Sequence, residues 1–145
     1  MYQHILIPTD GSALATTAVK QGLDFAKAIG AEVTILTVHE PFHIFTLENQ
    51  VITDTSDIYK EHAARHAKSI LGKCETLAKA RDVRCTLLDV ESDYPYEAIV
   101  DTAKKKKCDL IAMASHGHGG VKAVILGSET QKVLAHSSIP VLVYR

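Results

Sequence analysis

The sequence contains few cysteines, and their arrangement excludes two kinds of structural support. Only three occur in 145 residues, and Cys74, Cys85 and Cys108 follow no regular spacing. An odd number at irregular intervals is typical neither of a disulfide framework nor of a zinc site. We therefore expect a protein of a reducing compartment.

The chain also lacks the segments that would direct it into or through a membrane. It opens with Met1-Tyr2-Gln3-His4 and continues directly into a predicted strand, without the charged and apolar regions of a secretory signal. No apolar run approaches the length of a membrane span. These features favour a cytoplasmic protein with no membrane partner.

A large excess of charge of one sign is absent as well. Sixteen lysines and arginines balance 17 aspartates and glutamates, and the formal net charge is -1. This balance argues against a nucleic-acid partner. The one basic run, Lys104–Lys107, ends a predicted helix, where the helix dipole favours cations. From the length and the ordinary composition we predict a single domain over residues 1–145.

Three motifs of nucleotide-binding and hydrolytic proteins are missing. The sequence has no Gly-x-x-x-x-Gly-Lys-Ser/Thr phosphate loop and no Gly-x-Ser-x-Gly elbow of an α/β-hydrolase. Gly117 and Gly119 begin a dinucleotide fingerprint, but Lys122 stands where its third glycine belongs. His116 and His118 lie two residues apart without a cysteine or carboxylate cluster nearby, so we predict no metal site.

What the chain does contain is a regular alternation of strand and helix patterns. β-rich apolar runs alternate with stretches whose apolar residues recur every three or four positions. The predicted strands are Ile5–Ile7, Val33–Val38, Val83–Val90, Asp109–Ala114 and Pro140–Tyr144, and the predicted helices are Ser12–Ile29, Asp54–Arg81, Pro95–Lys106 and Glu129–His136. This order predicts an α/β fold, a doubly wound parallel sheet with helices on both faces. Ligands of such sheets bind beyond the carboxyl ends of the strands, where the winding direction reverses.

The most informative segment follows the fourth predicted strand. Ala114-Ser115-His116-Gly117 is followed by nine more residues and then by Gly127-Ser128, before the last helix. A strand, a glycine-rich loop and a helix in this order aim backbone N–H groups at a phosphate. The amides of Gly127 and Ser128, with the Ser128 hydroxyl, would hold a terminal phosphate. Ser128-Glu129-Thr130-Gln131 also fits a capping box, and the two interpretations are compatible.

A second candidate segment, Pro8-Thr9-Asp10-Gly11-Ser12, follows the first strand. A carboxylate at Asp10 could accept hydrogen bonds from a ribose or from the edge of a base. Asp10 or Ser12 could equally cap the first helix, and caps are far commoner than ligand sites. From this segment alone, the capping interpretation is favoured.

Together these segments resemble the universal stress protein family, over essentially the whole chain. The family's ATP-binding motif is a glycine, two residues, a glycine, nine residues, and then a glycine and a serine or threonine. Gly117, Gly127 and Ser128 match this spacing, whereas Ala114 replaces the first glycine. Ala114 would therefore weaken nucleotide binding or leave it unchanged. The matching segments are Ile5–Ser12, Asp109–Gly117, Leu126–Ser128 and Ile139–Val143.

The resemblance implies a five-stranded sheet of order 3-2-1-4-5, of the Rossmann-like, adenine nucleotide alpha hydrolase-like class. It also implies ATP or another adenine nucleotide in the crevice, commonly with Mg²⁺, and a homodimer that pairs through Val141–Tyr144. By position, Asp10 would contact the ribose or adenine, and Glu129 would lie beside the phosphates. The other implied site residues are Pro8, Thr9 and Val38 around the adenine, Met113, Ala114 and Gly117 along the ribose and phosphates, and Gly127 and Ser128 at the phosphates.

These observations favour a dimeric nucleotide-binding protein of stress response or signalling. ATP would stabilise a conformation that an unidentified regulatory partner recognises, and we predict no catalytic residue because no general base or nucleophile is evident. One alternative is a slow ATP hydrolase or autophosphorylating protein, with Ser115, Ser128 or Thr130 as acceptor. Another is an interaction module without nucleotide, in which Phe42–Leu47 faces a protein partner.

Overall fold

The computed structural model describes residues 1–42, 52–117 and 126–145. The five predicted strands and four predicted helices are all present, with ends close to those expected. The strands are β1 (His4–Pro8), β2 (Glu32–His39), β3 (Cys85–Glu91), β4 (Leu110–Ala114) and β5 (Val141–Tyr144), and the helices are α1 (Ala13–Ile29), α2 (Ile52–Ala80), α3 (Pro95–Lys105) and α4 (Ser128–His136).

The strands form one parallel sheet in the order β3-β2-β1-β4-β5, which confirms the predicted order. The chain winds outward from β1 in one direction to β3, and then from β4 in the other direction to β5. The direction therefore reverses between β1 and β4, and a crevice is expected at the carboxyl ends of these two strands.

Two apolar cores cover the two faces of the sheet. Ile5 and Ile7 of β1 join the core beneath α1 and α2, whereas Leu6 joins the core beneath α3 and α4. Successive side chains of a strand point to opposite faces, so an unbroken apolar run is what a strand covered on both sides requires. All three of these side chains are fully buried.

The ends of α1 follow directly from the sequence. Ser12 precedes the helix in an extended conformation, and its side chain accepts a hydrogen bond from the Ala15 amide over 3.2 Å. Gly30 ends the helix with a φ of 72°, a left-handed conformation that favours glycine. These two residues fix where the chain leaves β1 and where it enters β2.

No helix within the described ranges is both long enough and apolar enough to cross a membrane.

Candidate functional site

The turn after β1 lies at the edge of the sheet where the crevice is expected. The Thr9 amide donates to the carbonyl of Leu36 over 2.8 Å, which continues the pairing of β1 with β2 beyond Pro8. The buried Thr9 hydroxyl accepts from the Gly11 amide over 3.2 Å. Asp10 Oδ1 accepts from the Ser12 amide over 2.9 Å. Ser12 is therefore the helix cap, and Asp10 braces the turn that presents it.

The same aspartate lies against the loop that follows β4. A Cβ atom added to Gly117 would collide with Asp10 Oδ2 and would lie 3.3 Å from Asp10 Cγ. Two predicted site residues from distant parts of the sequence are thus brought together at the point where the sheet reverses direction. Any preference for glycine at Gly117 comes from this close approach and not from its φ angle, because the positive φ angles of described glycines occur at Gly11 and Gly30.

The backbone of Ser115 joins the two sides of the predicted phosphate loop. Its N–H donates to the carbonyl of Tyr144 over 2.7 Å, and its carbonyl accepts from the Gly127 amide over 2.7 Å. A Cβ atom on Gly127 would lie 3.0 Å from that carbonyl oxygen and 3.3 Å from the Cα of His116. The residues that precede and follow positions 118–125 are therefore in contact.

The start of α4 corrects the predicted capping box. Gly127 occupies the N-cap position, and Ser128 is the first helical residue. The reason is that the Gly127 carbonyl already accepts from the Gln131 amide over 3.0 Å, which begins the helix one residue earlier than expected. The Gln131 side chain donates instead to the carbonyl of Leu126 over 2.7 Å.

This arrangement also changes which groups face a phosphate. The Gly127 amide was predicted to hold the terminal phosphate, but it donates a hydrogen bond to the Ser115 carbonyl. Ser128 is exposed and lies in the first turn of α4, where backbone N–H groups lack partners within the helix. The amides of this turn and the helix dipole remain suited to an anion.

The side chain of Glu129 is directed at α3. Its Oε2 accepts from the Tyr96 amide over 3.0 Å, and its Oε1 lies 3.3 Å from Lys132 Nζ. Tyr96 is the second residue of α3, whose N-cap residue Tyr94 makes no side-chain capping bond. Glu129 therefore supplies that cap from a neighbouring helix, and its carboxylate has a structural role.

Ala114, which replaces the first motif glycine, causes no visible strain. The residue is 7 % exposed, and its methyl group packs with Ala15 and Ala18 of α1. The non-glycine residues with a positive φ in the described chain are Asp82 and Lys107, so Ala114 does not occupy a conformation that needs glycine.

The remaining predicted site residues lie beneath or beside the crevice. Pro8 is buried at the end of β1. Met113 is 6 % exposed in the core under α3 and α4, and the half-buried Val38 packs against the same core. His118, Gly119, Lys122 and most of the Phe42–Leu47 loop lie outside the described residues.

Two of the three predicted phosphoryl acceptors are inaccessible. Ser115 and Thr130 are each 3 % exposed, and the Ser115 hydroxyl lies 3.0 Å from His116 Nδ1. Only Ser128 among the three is exposed. The prediction that Ser115 or Thr130 accepts a phosphoryl group was wrong. Their burial depends on how α4 packs, and the sequence alone does not predict that packing.

Thr130 has a connecting role that the sequence reasoning missed. Its hydroxyl donates to the carbonyls of Ala114 and Ser115 over 3.0 Å and 3.3 Å. The available signal was its spacing: Thr130 and the buried Val133 are three residues apart and share one face of a short helix. A hydroxyl on a buried helix face needs a hydrogen-bond partner nearby.

Comparisons of the sequence and of the structure with known proteins indicate the same family. The model described as "Universal stress protein family" matches residues 1–145. Universal stress protein MJ0531 of Methanocaldococcus jannaschii is 31 % identical over all of this chain and 83 % of its own length. The structure of UspA from Lactobacillus plantarum has a TM-score of 0.84 and 25 % identity, covering 99 % of this chain and 98 % of that one.

A second similar structure was solved with a bound ligand. It is a universal stress protein in complex with cAMP, with a TM-score of 0.73 and 27 % identity, covering 99 % of this chain and 97 % of that chain. The family match spans every residue, and the order of the strands agrees with the order that the resemblance implied. This chain belongs to the universal stress protein family.

Proposed function

We propose that this protein binds an adenine nucleotide, with ATP as the first candidate, in the crevice between β1 and β4. The observation that carries the proposal is the close approach of the Asp10 carboxylate to the backbone of Gly117. It places an acceptor for ribose hydroxyls beside the loop that leads to the first turn of α4. The similar protein solved with cAMP supports the choice of an adenine nucleotide.

Each side of the crevice suits one part of such a ligand. Pro8, Thr9 and Val38 offer largely apolar surroundings for the adenine. Asp10 would accept from the ribose, and the first turn of α4, at Ser128, would receive the phosphates. Met113, Ala114 and Glu129 support these surfaces from their buried or helix-bound positions.

A divalent cation would depend on the nucleotide. Within the described ranges, no group of three or more His, Cys, Asp or Glu side chains could hold a metal ion. Glu129 is committed to Tyr96 and Lys132. Mg²⁺ typically keeps several waters and is bound through substrate phosphates, so the protein would receive it together with ATP.

We further propose that the nucleotide is a signal and that the protein acts as a dimeric sensor or regulator. A second copy would pair along β5, and a regulatory protein would recognise the nucleotide-bound dimer. The crevice supplies acceptors and amides that bind a nucleotide. We assign no described residue as a general base, so turnover of ATP should equal that of a blank without protein.

The test is titration calorimetry with ATP, AMP and cAMP, each with and without Mg²⁺, preceded by mass spectrometry of small molecules released on denaturation. We expect at least one nucleotide to bind, and Asp10→Asn to weaken its binding about tenfold, or about 1.4 kcal/mol. Asp101→Asn, an exposed carboxylate on α3, is the control and should bind as the wild type does. No heat with any of the three nucleotides at about 1 mM would reject the proposal.

A further inference from the structure

We infer that Thr130 is the residue that positions the phosphate side of the crevice, an inference that rests on the nucleotide site proposed above. Thr130 lies in the first turn of α4 and is 3 % exposed. Its hydroxyl has one hydrogen, which the carbonyls of Ala114 and Ser115 share in a three-centre bond. A side chain thereby ties the start of the helix to the end of β4.

Ser115, one of the two residues whose carbonyls receive this bond, is the central connection of the proposed site. Ser115 donates its N–H to the carbonyl of Tyr144, and its carbonyl also accepts from the Gly127 amide. Gly117, which lies against the Asp10 carboxylate, follows only two residues later. A shift of the Ser115 backbone would therefore move the surface expected to meet the phosphates, although Thr130 itself need not touch the ligand.

The hydroxyl links two surfaces that the ligand must contact at once. One is the first turn of α4, which carries Ser128 and the N–H groups suited to phosphate. The other is the segment Ser115–Gly117, which follows β4. If Thr130 fixes their separation, its loss lowers affinity for a ligand that contacts both surfaces and leaves affinity for a ligand without phosphates unchanged.

Two substitutions at this position and one control separate positioning from simple support of the fold. Thr130→Val keeps the shape of the side chain and removes the hydroxyl, and Thr130→Ser keeps the hydroxyl. Thr34→Val is the matched control, because Thr34 is 1 % exposed and its hydroxyl bonds His4 Nε2 over 2.7 Å near the other end of the sheet. All three variants are compared below their unfolding temperatures.

The first measurement is calorimetry with ATP and with adenosine. We expect Thr130→Val to weaken ATP binding about tenfold, equivalent to about 1.4 kcal/mol, while adenosine binding stays within about twofold. Thr130→Ser should restore ATP binding, and Thr34→Val should bind both ligands normally. An unchanged ATP affinity in Thr130→Val, or an equal loss for ATP and adenosine, would overturn the inference.

The second measurement needs no ligand, so it separates failure of this inference from failure of the nucleotide proposal. Amide hydrogen exchange is followed at Ser115 and Gly127 in the nucleotide-free protein. We expect about tenfold faster exchange at the Gly127 amide in Thr130→Val than in the wild type, and no change in Thr34→Val. Wild-type exchange in Thr130→Val would reject the positioning role, even if the wild type bound ATP. Faster exchange in Thr130→Val, together with a wild type that bound no nucleotide, would support the connection through Thr130 and reject the nucleotide site.

Discussion

At both motif glycines that the structure describes, Gly117 and Gly127, an added methyl group would meet a neighbouring part of the protein. Gly127 has a φ of -59°, which any residue can adopt, but its Cα lies close to the Ser115 carbonyl. Gly117 has the Asp10 carboxylate in the space that a side chain would need. Both glycines therefore allow parts of the protein to lie close together, at the place proposed for the nucleotide.

Gly117→Ala tests this explanation. The added methyl group must displace the Asp10 carboxylate, so we expect nucleotide affinity to fall about tenfold or more, which calorimetry would measure. Gly72→Ala is the matched control, because Gly72 lies in α2 with open space around it. That variant should bind normally and gain about 0.5–1 kcal/mol in the free energy of unfolding. Normal nucleotide binding by Gly117→Ala would mean that the close approach of Gly117 to Asp10 has no part in binding.

Ala114→Gly tests whether the departure from the family motif affects binding. Because the methyl group packs on α1, we expect its loss to lower the free energy of unfolding by about 1–2 kcal/mol, from lost apolar burial and a more flexible unfolded chain. Nucleotide affinity should change less than about twofold, or about 0.4 kcal/mol. Denaturant unfolding and calorimetry measure the two quantities. A large gain in ATP affinity would show instead that the alanine obstructs the crevice.

At the scale of secondary-structure elements, two carboxylates act as connectors between neighbours. Glu129 of α4 caps the start of α3 through the Tyr96 amide. Asp109, just before β4, accepts from the amides of Gln3 and His4 at the start of β1. Burial favours the neutral carboxyl of Asp109, but the amides of His4, Gln3 and Asp109 itself, together with the nearby His4 side chain, outweigh burial and hold its pKa below the ordinary value.

The lowered pKa of Asp109 predicts how its contribution depends on pH. A carboxylate with a folded pKa below its unfolded pKa stabilises the fold fully above the unfolded value of about 3.9, and this contribution is lost as the pH falls through the folded pKa. We expect Asp109→Asn to cost about 1 kcal/mol at neutral pH.

Urea unfolding between about pH 7 and pH 3 would measure this difference, which should shrink below about pH 4. Asp101→Asn is again the control, since that carboxylate is exposed on α3. A difference between wild type and Asp109→Asn that stayed constant down to pH 3 would contradict the assigned role of the charge.

At the scale of the whole molecule, the sheet has an apolar edge. β5 is the last strand of the sheet, and Val141–Tyr144 are all half-buried in the single chain. An apolar edge strand is a liability unless another chain pairs with it or covers it. This observation supports the proposed homodimer, in which the same strand from two copies would meet.

Val143→Lys tests the proposed dimer. The lysine should place a charge on the edge strand and prevent pairing, so that sedimentation gives the mass of a dimer for the wild type and of a monomer for the variant. Leu134→Lys changes an exposed apolar residue on α4, away from β5, and should remain dimeric. A dissociation constant of about 100 μM corresponds to a free energy of association of about 5.5 kcal/mol at the 1 M standard state. A wild type that is still monomeric at that concentration would argue against a functional dimer.

Much of the fold was predictable from the sequence. The helical periodicity of Ser12–Ile29 predicted α1, and the apolar run of Ile5–Ile7 predicted β1. Both patterns depend on residues that are close together in the sequence, so the type and approximate ends of each element could be predicted. The exact start of α4 did not, because Gly127 takes the N-cap position through contacts with Ser115, a residue on another element. The capping box was a sound local pattern that tertiary contacts displaced.

The sequence by itself determined the alternation of strands and helices, the family and the two loops that meet at the crevice. These properties depend on periodicity and on residue spacing. Only the tertiary structure decided that Gly117 lies against Asp10, that Glu129 points to α3, and that the Thr130 hydroxyl bonds the end of β4. The direction of a polar side chain depends on which donor or acceptor packing brings within about 3 Å, and those partners come from other elements of the fold.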